Sequence, residues 1–286
     1  MADWALRQRW ESPSGTVRYE VFGEGPPLVL VHGTPSSAFL WRHVIRELAG
    51  DWTLYAYDLL GYGSSEKREG QDVSLGAQTR LLAQLLDHWE LEQPAMAGHD
   101  FGGAITLRTH LLERRRFSAI ALLDPVALGP WGTSFFRLVR DNVSVFQQIP
   151  AAIHQAIVAS YLRGAFHRQM SDKALAPYVE PWLGAEGQDA FYRQIAQADQ
   201  RFTDEVEPHY GEITVPVLIL WGEEDGWIST EVGRRLQALI PHSQLELIPA
   251  AGHFLQEDAP LAVANHLARF LSKAGERISG SDQSQA

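Results

Sequence analysis

One short segment constrains the fold of this 286-residue chain more than any other: Ala97-Gly98-His99-Asp100-Phe101-Gly102-Gly103. A short apolar run, 94–96, precedes it, and apolar residues at helical spacing follow it over 104–112. The pattern predicts a strand, a tight turn and a helix. Glycines on both sides allow a strained turn and a close approach of strand and helix. We therefore expect the residue at the apex, Asp100, to project its side chain beyond the end of the strand.

Strands and helices alternate on either side of this segment, which predicts a parallel sheet covered by helices on both faces. The run 27–31 is continuously apolar, as is typical of a strand buried on both faces. Other strands are predicted at 4–10, 17–22, 53–57, 118–123, 215–221 and 245–248. Helices are predicted at about 41–48, 74–89, 231–240 and 259–271.

The alternation of strands and helices stops at about residue 129, and the aromatic-rich segment 130–211 is predicted to be mainly helical. Ligands of parallel sheets bind outside the carboxyl ends of the strands, so this insertion is expected to form a cap, or lid, over that edge. The predicted organisation is an α/β core, 1–129 and 212–272, with the cap between its two parts. The polar tail, 273–286, is expected to be disordered.

A carboxylate at the apex of such a turn predicts a particular chemistry. It is ionised at neutral pH, so Asp100 needs no base for a first attack. Attack on an ester would give a labile anhydride, whereas attack on a saturated carbon gives an ordinary ester. Water must then cleave that ester, and this step requires a base. The chain has no cysteine, which excludes a thiol nucleophile and disulfides.

Asp225 and His253 supply the remaining groups, since each follows a predicted strand later in the chain. The order nucleophile, acid, histidine is that of a hydrolase triad. His253 would activate water, and Asp225 would orient its ring and stabilise the imidazolium. Asp124, after the preceding strand, is the alternative acid. Taken alone, Asp100 would fit a helix N-cap, but the ordered set favours catalysis.

These residues give the chain a resemblance, over about residues 15–272, to the α/β-hydrolases that include haloalkane dehalogenases, fluoroacetate dehalogenases and epoxide hydrolases. The resemblance is carried by the segments 32–35, 98–103, 221–225 and 251–254. It implies an α/β-hydrolase fold, a mostly parallel central sheet flanked by helices with an inserted helical lid. It also implies an oxyanion hole formed by the backbone N–H groups of Thr34 and Phe101, with leaving-group contacts from the cap.

The residue after Asp100 helps to indicate which electrophile Asp100 would attack. Haloalkane dehalogenases usually carry a tryptophan there, whose indole N–H binds the departing halide, whereas Phe101 has no donor. Loss of such a charge-assisted hydrogen bond costs about 1.5–3 kcal/mol. By contrast, the stretch 33–37 with 40–42 resembles the haloalkane dehalogenases more than most epoxide hydrolases. The arginine that fluoroacetate dehalogenases carry after the nucleophile is absent.

Opening an epoxide requires a proton donor. The resemblance to epoxide hydrolases implies that this donor is a tyrosine of the lid, and the candidates are Tyr161 and Tyr192. Trp131 and Trp182 are the alternative donors for a halide. The sequence thus favours an epoxide hydrolase, with a haloalkane or haloacetate dehalogenase as the alternative. A third hypothesis is a non-catalytic ligand-binding protein of the same fold. Such a protein would need neither the histidine nor the acid, so the presence of Asp100, Asp225 and His253 in this order argues against it.

The net charge of −11 argues against nucleic acid and anionic membrane surfaces as partners. No signal peptide or membrane-spanning run is visible, so we expect a cytoplasmic protein. The aromatic cap suggests a small apolar substrate, with water as the second reactant. No ligand cluster suggests a metal, and the chemistry requires no cofactor. The oligomeric state stays open.

Overall fold

The computed structural model describes residues 4–282, which form an eight-stranded sheet flanked by helices. The strands are β1 (Gln8–Ser12), β2 (Gly15–Phe22), β3 (Pro27–Val31), β4 (Thr53–Tyr57), β5 (Ala95–His99), β6 (Ile120–Leu123), β7 (Val217–Gly222) and β8 (Gln244–Ile248). Their order across the sheet is β1-β2-β4-β3-β5-β6-β7-β8. Strand β2 pairs antiparallel with β1 and β4, and all the other pairs are parallel. The six parallel strands therefore end along one edge.

Helices cover both faces because the central strands are apolar on both. The core helices are α1 (Arg42–Leu48), α2 (Leu75–His88), α3 (Phe101–Leu111), α10 (Thr230–Leu239), α11 (Leu255–Asp258) and α12 (Pro260–Asp282), with a 3-10 turn at Ala38–Trp41. In β3, Leu28 and Leu30 belong to the hydrophobic cluster that includes α1 and α12. Val29 and Val31 belong to the cluster that includes α2 and α3. This two-residue alternation fixes which side chains face each layer.

The cap lies between β6 and β7. Its helices are α4 (Ser134–Asp141), α5 (Val143–Phe146), α6 (Ala151–Arg163), α7 (Asp172–Val179), α8 (Gly184–Ala196) and α9 (Arg201–Asp204), with 3-10 turns at Glu180–Trp182 and Glu207–Glu212. Trp182 Nε1 donates to the Pro35 carbonyl (3.1 Å), and Thr34 Oγ1 donates to Gln194 Oε1 (2.7 Å). Because Thr34 and Pro35 follow the carboxyl end of β3, these contacts hold the cap over that edge.

The last helix is longer than the sequence suggests. Helix α12 continues through Asp282 instead of ending at residue 271, so most of the expected disordered tail is helical. Ala274 is buried against the core, and good helix formers such as Lys273 and Glu276 flank it. Burial of one face therefore extends the helix into a polar segment. Residues 283–286 lie outside the described residues.

At the other end, β1 begins at Gln8 rather than at residue 4, and residues 1–3 lie outside the described residues. Across the part of the chain that the structure describes, no helix combines the length and apolar character needed to cross a membrane.

Candidate active site

Asp100 stands at a strained turn between β5 and α3, with φ 53° and ψ −119°. The turn is tight enough to exclude side chains at its flanks. A Cβ added to Gly98 would lie 2.4 Å from the Gly102 carbonyl oxygen, and one added to Gly102 would lie 2.1 Å from that of Val31. The glycines are therefore required by close packing, and they hold the Asp100 side chain beyond the sheet edge.

The two carboxyl oxygens of Asp100 have different surroundings. Oδ1 accepts a hydrogen bond from the Thr34 backbone N–H at 2.6 Å. Oδ2 lies 3.3 Å from His253 Nε2, although the two atoms are not aligned for a hydrogen bond. The Phe101 N–H opens helix α3 and has no partner within the helix. One oxygen is thus held by the backbone while the other faces an imidazole.

His253 is fixed from its far side by Asp225. Its Nδ1–H donates to Asp225 Oδ2 at 2.8 Å, since a carboxylate can only accept. Asp225 Oδ1 accepts the backbone N–H groups of Trp227 (2.7 Å) and Ile228 (2.9 Å). Burial lowers the pKa of His253, but the Asp225 and Asp100 carboxylates outweigh it, so that its pKa is well above the usual value.

Asp124, the alternative acid, occupies a different place. It is fully buried, and its Oδ1 accepts the Gly222 N–H at 2.9 Å. Its Oδ2 has no hydrogen-bond partner among the described residues. Burial and the nearby Asp225 carboxylate raise the pKa of Asp124 well above its usual range. His253 therefore donates its hydrogen bond to Asp225 and not to Asp124, and Asp124 links β6 to β7 through Gly222.

Two further histidines lie under the turn. His32 Nε2 accepts the Leu59 N–H at 3.0 Å, and His99 Nε2–H donates to the His253 carbonyl at 2.8 Å. Burial lowers the pKa of both rings. Within the described range, His99, Asp124 and His253 form the group whose ligand atoms lie close enough for a metal, all within 4.8 Å. A metal there would compete with Asp225 and Asp100 for the His253 ring.

A cavity of about 30 Å³ adjoins Asp100. It is lined mainly by apolar groups: Thr34, Asp100, Phe101, Val126, Trp131, Gly132, Thr133, Phe136, Tyr161, Trp227 and Ile228. Such a volume holds roughly one or two water molecules rather than an organic substrate. A substrate larger than this volume would require side chains of the wall to move.

The structure separates the four cap residues proposed from sequence. Tyr161 and Trp131 line the cavity, but Trp131 Nε1 already donates to Thr203 Oγ1 at 3.0 Å. Tyr192 and Trp182 do not line it. The Tyr192 hydroxyl pairs with His154 Nδ1 at 2.9 Å, and Trp182 donates to a core carbonyl as described above.

Of these four residues, Tyr161 is the one that lines the cavity with its hydrogen-bond partner, the Thr133 side chain, beside it. Burial raises the pKa of Tyr161 above its usual value, while the neighbouring Thr133 hydroxyl acts in the opposite direction. Tyr161 therefore keeps its proton at neutral pH.

Sequence reasoning missed Trp227 and Gln194. Trp227 stacks on Tyr161, with ring centroids 4.6 Å apart, and its ring lies 5.0 Å from that of His253. Its place two residues after Asp225 was the available signal. Gln194 Oε1 accepts from Thr34 and from Tyr62 (3.0 Å), which links helix α8 to the loop that holds Asp100. A glutamine inside an amphipathic helix gives no such signal.

The chain is similar to known proteins in both sequence and structure. A family model described as alpha/beta hydrolase fold matches residues 26–260. The solved structure of an alpha/beta hydrolase fold protein from Burkholderia ambifaria is similar, with a TM-score of 0.90 and 42% identity, over 92% of this chain and 97% of that one. Haloalkane dehalogenase 2 of Mycobacterium bovis is 29% identical over 282 residues, covering 91% of this chain and 93% of its own. The uncharacterized hydrolase YugF of Bacillus subtilis is 30% identical over 252 residues, covering 85% and 89%.

Proposed function

The chain belongs to the alpha/beta hydrolase fold family, and from this premise we propose that it hydrolyses an epoxide through a covalent ester on Asp100. The observation that carries the proposal is the pairing of two groups across one cavity. Asp100 lines it from the core, and Tyr161 lines it from the cap. Phe101 offers no side-chain donor for a halide, and the indole N–H groups of Trp131 and Trp182 are engaged elsewhere.

In the first step, Asp100 Oδ2 attacks a ring carbon, and the carbon–oxygen bond of the epoxide breaks. Tyr161 donates its proton to the departing alkoxide, which is basic enough to take it. The products of this step are a hydroxyalkyl ester on Asp100 and a phenolate, which recovers its proton from solvent. Burial keeps Tyr161 protonated beforehand, because it disfavours the charged form.

In the second step, water cleaves the ester. Forming the ester removes the negative charge of Asp100, one of the two carboxylates that raise the pKa of His253. His253 then gives up a proton more readily and accepts one from the attacking water. Asp225 stabilises the imidazolium, and the N–H groups of Thr34 and Phe101 stabilise the oxyanion. Collapse of that intermediate releases a diol and restores Asp100.

A second candidate is a haloalkane dehalogenase, since a relative at 29% identity bears that name. The Trp227 side chain also lines the cavity, and its indole N–H makes no hydrogen bond to a described residue. In that case Trp227 would be the halide donor. Trp227→Phe would then slow alkylation by haloalkanes, whereas Tyr161→Phe would leave it unchanged.

The test is to trap the ester. His253→Gln should block the second step, so that intact-mass analysis after exposure to epoxides and haloalkanes reveals the adduct. A mass increase equal to the whole epoxide supports the proposal, and an alkyl adduct short of its halogen supports the dehalogenase. His253→Gln combined with Asp100→Asn is the control and should acquire neither. A folded His253→Gln protein that forms no adduct with any probe would contradict both reactions and favour a non-catalytic binding protein.

A further inference from the structure

A larger hollow lies on the surface between helices α4 and α6. It has a volume of about 320 Å³ and is lined by Phe135, Ile157, Ser160 and Tyr161. Tyr161 also lines the cavity of about 30 Å³ beside Asp100. One side chain is therefore the shared wall between the hollow and the cavity.

The wall is made of stacked rings. The Tyr161 ring lies at 14° to that of Trp227, with centroids 4.6 Å apart. Its centroid is 5.1 Å from that of Phe135. All three residues are only half-buried. The Tyr161 hydroxyl is also hydrogen-bonded to the Thr133 side chain. A change of Tyr161 rotamer would break this side-chain bond but no backbone hydrogen bond, so Tyr161 can move while α4 and α6 stay in place.

We infer that this hollow binds the non-reacting apolar part of the substrate, and that movement of Tyr161 joins it to the cavity. The small cavity accommodates only the reacting group, so the rest of the molecule needs another site that is continuous with it. The hollow meets this requirement, since three of its four lining residues are aliphatic or aromatic and Ser160 is the fourth. Resting on the function proposed above, the substrate class is an epoxide at the end of a hydrocarbon chain.

A second groove on the cap gives a useful contrast. It lies between α6 and α7, has a volume of about 470 Å³ and is lined in part by Ala156 and Leu175. It shares no lining residue with the cavity beside Asp100. The volume of a surface depression alone therefore does not identify it as a substrate site. Ala156 and Ile157 are neighbours on one helix but line different depressions, which provides matched substitutions.

The experiment measures binding without requiring a reaction. Linear primary alcohols from butanol to octanol are titrated into the wild-type protein by calorimetry. Each methylene that enters the hollow should tighten binding roughly fourfold. Ile157→Trp should fill the hollow and abolish this gain for the longer alcohols, while butanol affinity changes less than twofold. Ala156→Trp is the matched control and should retain the full chain-length dependence.

Each outcome bears on the inference. Equal chain-length dependence in Ile157→Trp and Ala156→Trp would overturn it, as would the absence of any gain with length in the wild type. If Ile157→Trp does not fold, Ser160→Phe fills the same hollow from an exposed position. Epoxide turnover that does not depend on chain length in any variant would leave the proposed reaction standing without this site. Loss of the gain in Ile157→Trp, in a protein that turns over no epoxide, would leave the site standing without the reaction.

Discussion

The two walls of the cavity differ in what brings their residues together. On the sheet side, Asp100, Asp225 and His253 each follow a parallel strand, and the ends of such strands meet at one edge. Sequence order is then enough to make them neighbours. On the cap side, Tyr161 and Tyr192 both lie on helices, yet one lines the cavity and the other pairs with His154. Helix packing, which sequence order does not determine, decides between them.

The walls also differ in how firmly their side chains are held. Asp225 accepts hydrogen bonds from the backbone and from His253, and Asp100 accepts one from Thr34. Tyr161, in contrast, is held mainly by ring contacts. We therefore expect substitutions on the sheet side to affect every substrate alike. Substitutions on the cap side should have effects that depend on the substrate.

The largest expected effect separates the two buried aspartates of the sheet side. Asp225→Asn should slow hydrolysis of the ester on Asp100 by roughly 10⁴-fold, because an amide cannot orient and stabilise the imidazolium as a carboxylate does. Asp124→Asn should change the rate less than about threefold, since Asp124 makes no hydrogen bond to His253 and its raised pKa favours a neutral group. Decay of the adduct followed by mass spectrometry gives both rates. An equal loss in Asp124→Asn would contradict this division of roles.

An intermediate effect is expected on the cap side. Tyr161→Phe should slow epoxide opening by about 10²–10⁴-fold, the usual contribution of a general acid. Tyr192→Phe is the matched control and should stay within a few-fold of wild type, because its hydroxyl is directed at His154. Burst kinetics with one epoxide distinguishes opening from ester hydrolysis. A comparable loss in the two variants would mean that the hydroxyl groups act through the stability of the cap rather than on the substrate.

The smallest effect concerns stability and pH. Burial and Asp225 raise the pKa of Asp124 in the folded state, so its contribution to stability is fully present below the unfolded-state pKa of about 3.9 and is lost as pH rises through the folded-state pKa. Asp124→Asn escapes this loss and keeps the hydrogen bond from Gly222. The variant should melt about 2 °C or more above wild type at pH 7. Calorimetric scans should show the difference shrinking towards pH 4, and a constant difference would contradict the titration of Asp124.

Much of the fold could be predicted because its strands and helices have clear patterns of apolar residues in the sequence. The strand at 53–57 matches β4, and the strand and helix around Asp100 match β5 and α3. The predicted α/β-hydrolase fold is confirmed. The meeting of Asp100, Asp225 and His253 follows from the same topology, while their catalytic roles stay predictions.

What could not be predicted depends on contacts between distant segments. Trp227 joins the cavity wall because a cap helix brings Tyr161 against its ring. The continuation of α12 depends on the surface against which Ala274 is buried. No local pattern in the sequence encodes either contact.

The unequal surroundings of the two Asp100 oxygens have an isotopic consequence. Oδ1, held by Thr34, would remain on the enzyme through every cycle as the oxygen that carries the transient negative charge. Oδ2 would leave with each product molecule and be replaced by an oxygen atom from water. After many cycles in heavy-oxygen water, Asp100 would carry one heavy atom rather than two. Oδ1 would keep the isotope that it carried when the protein was synthesised, however many cycles the enzyme completes.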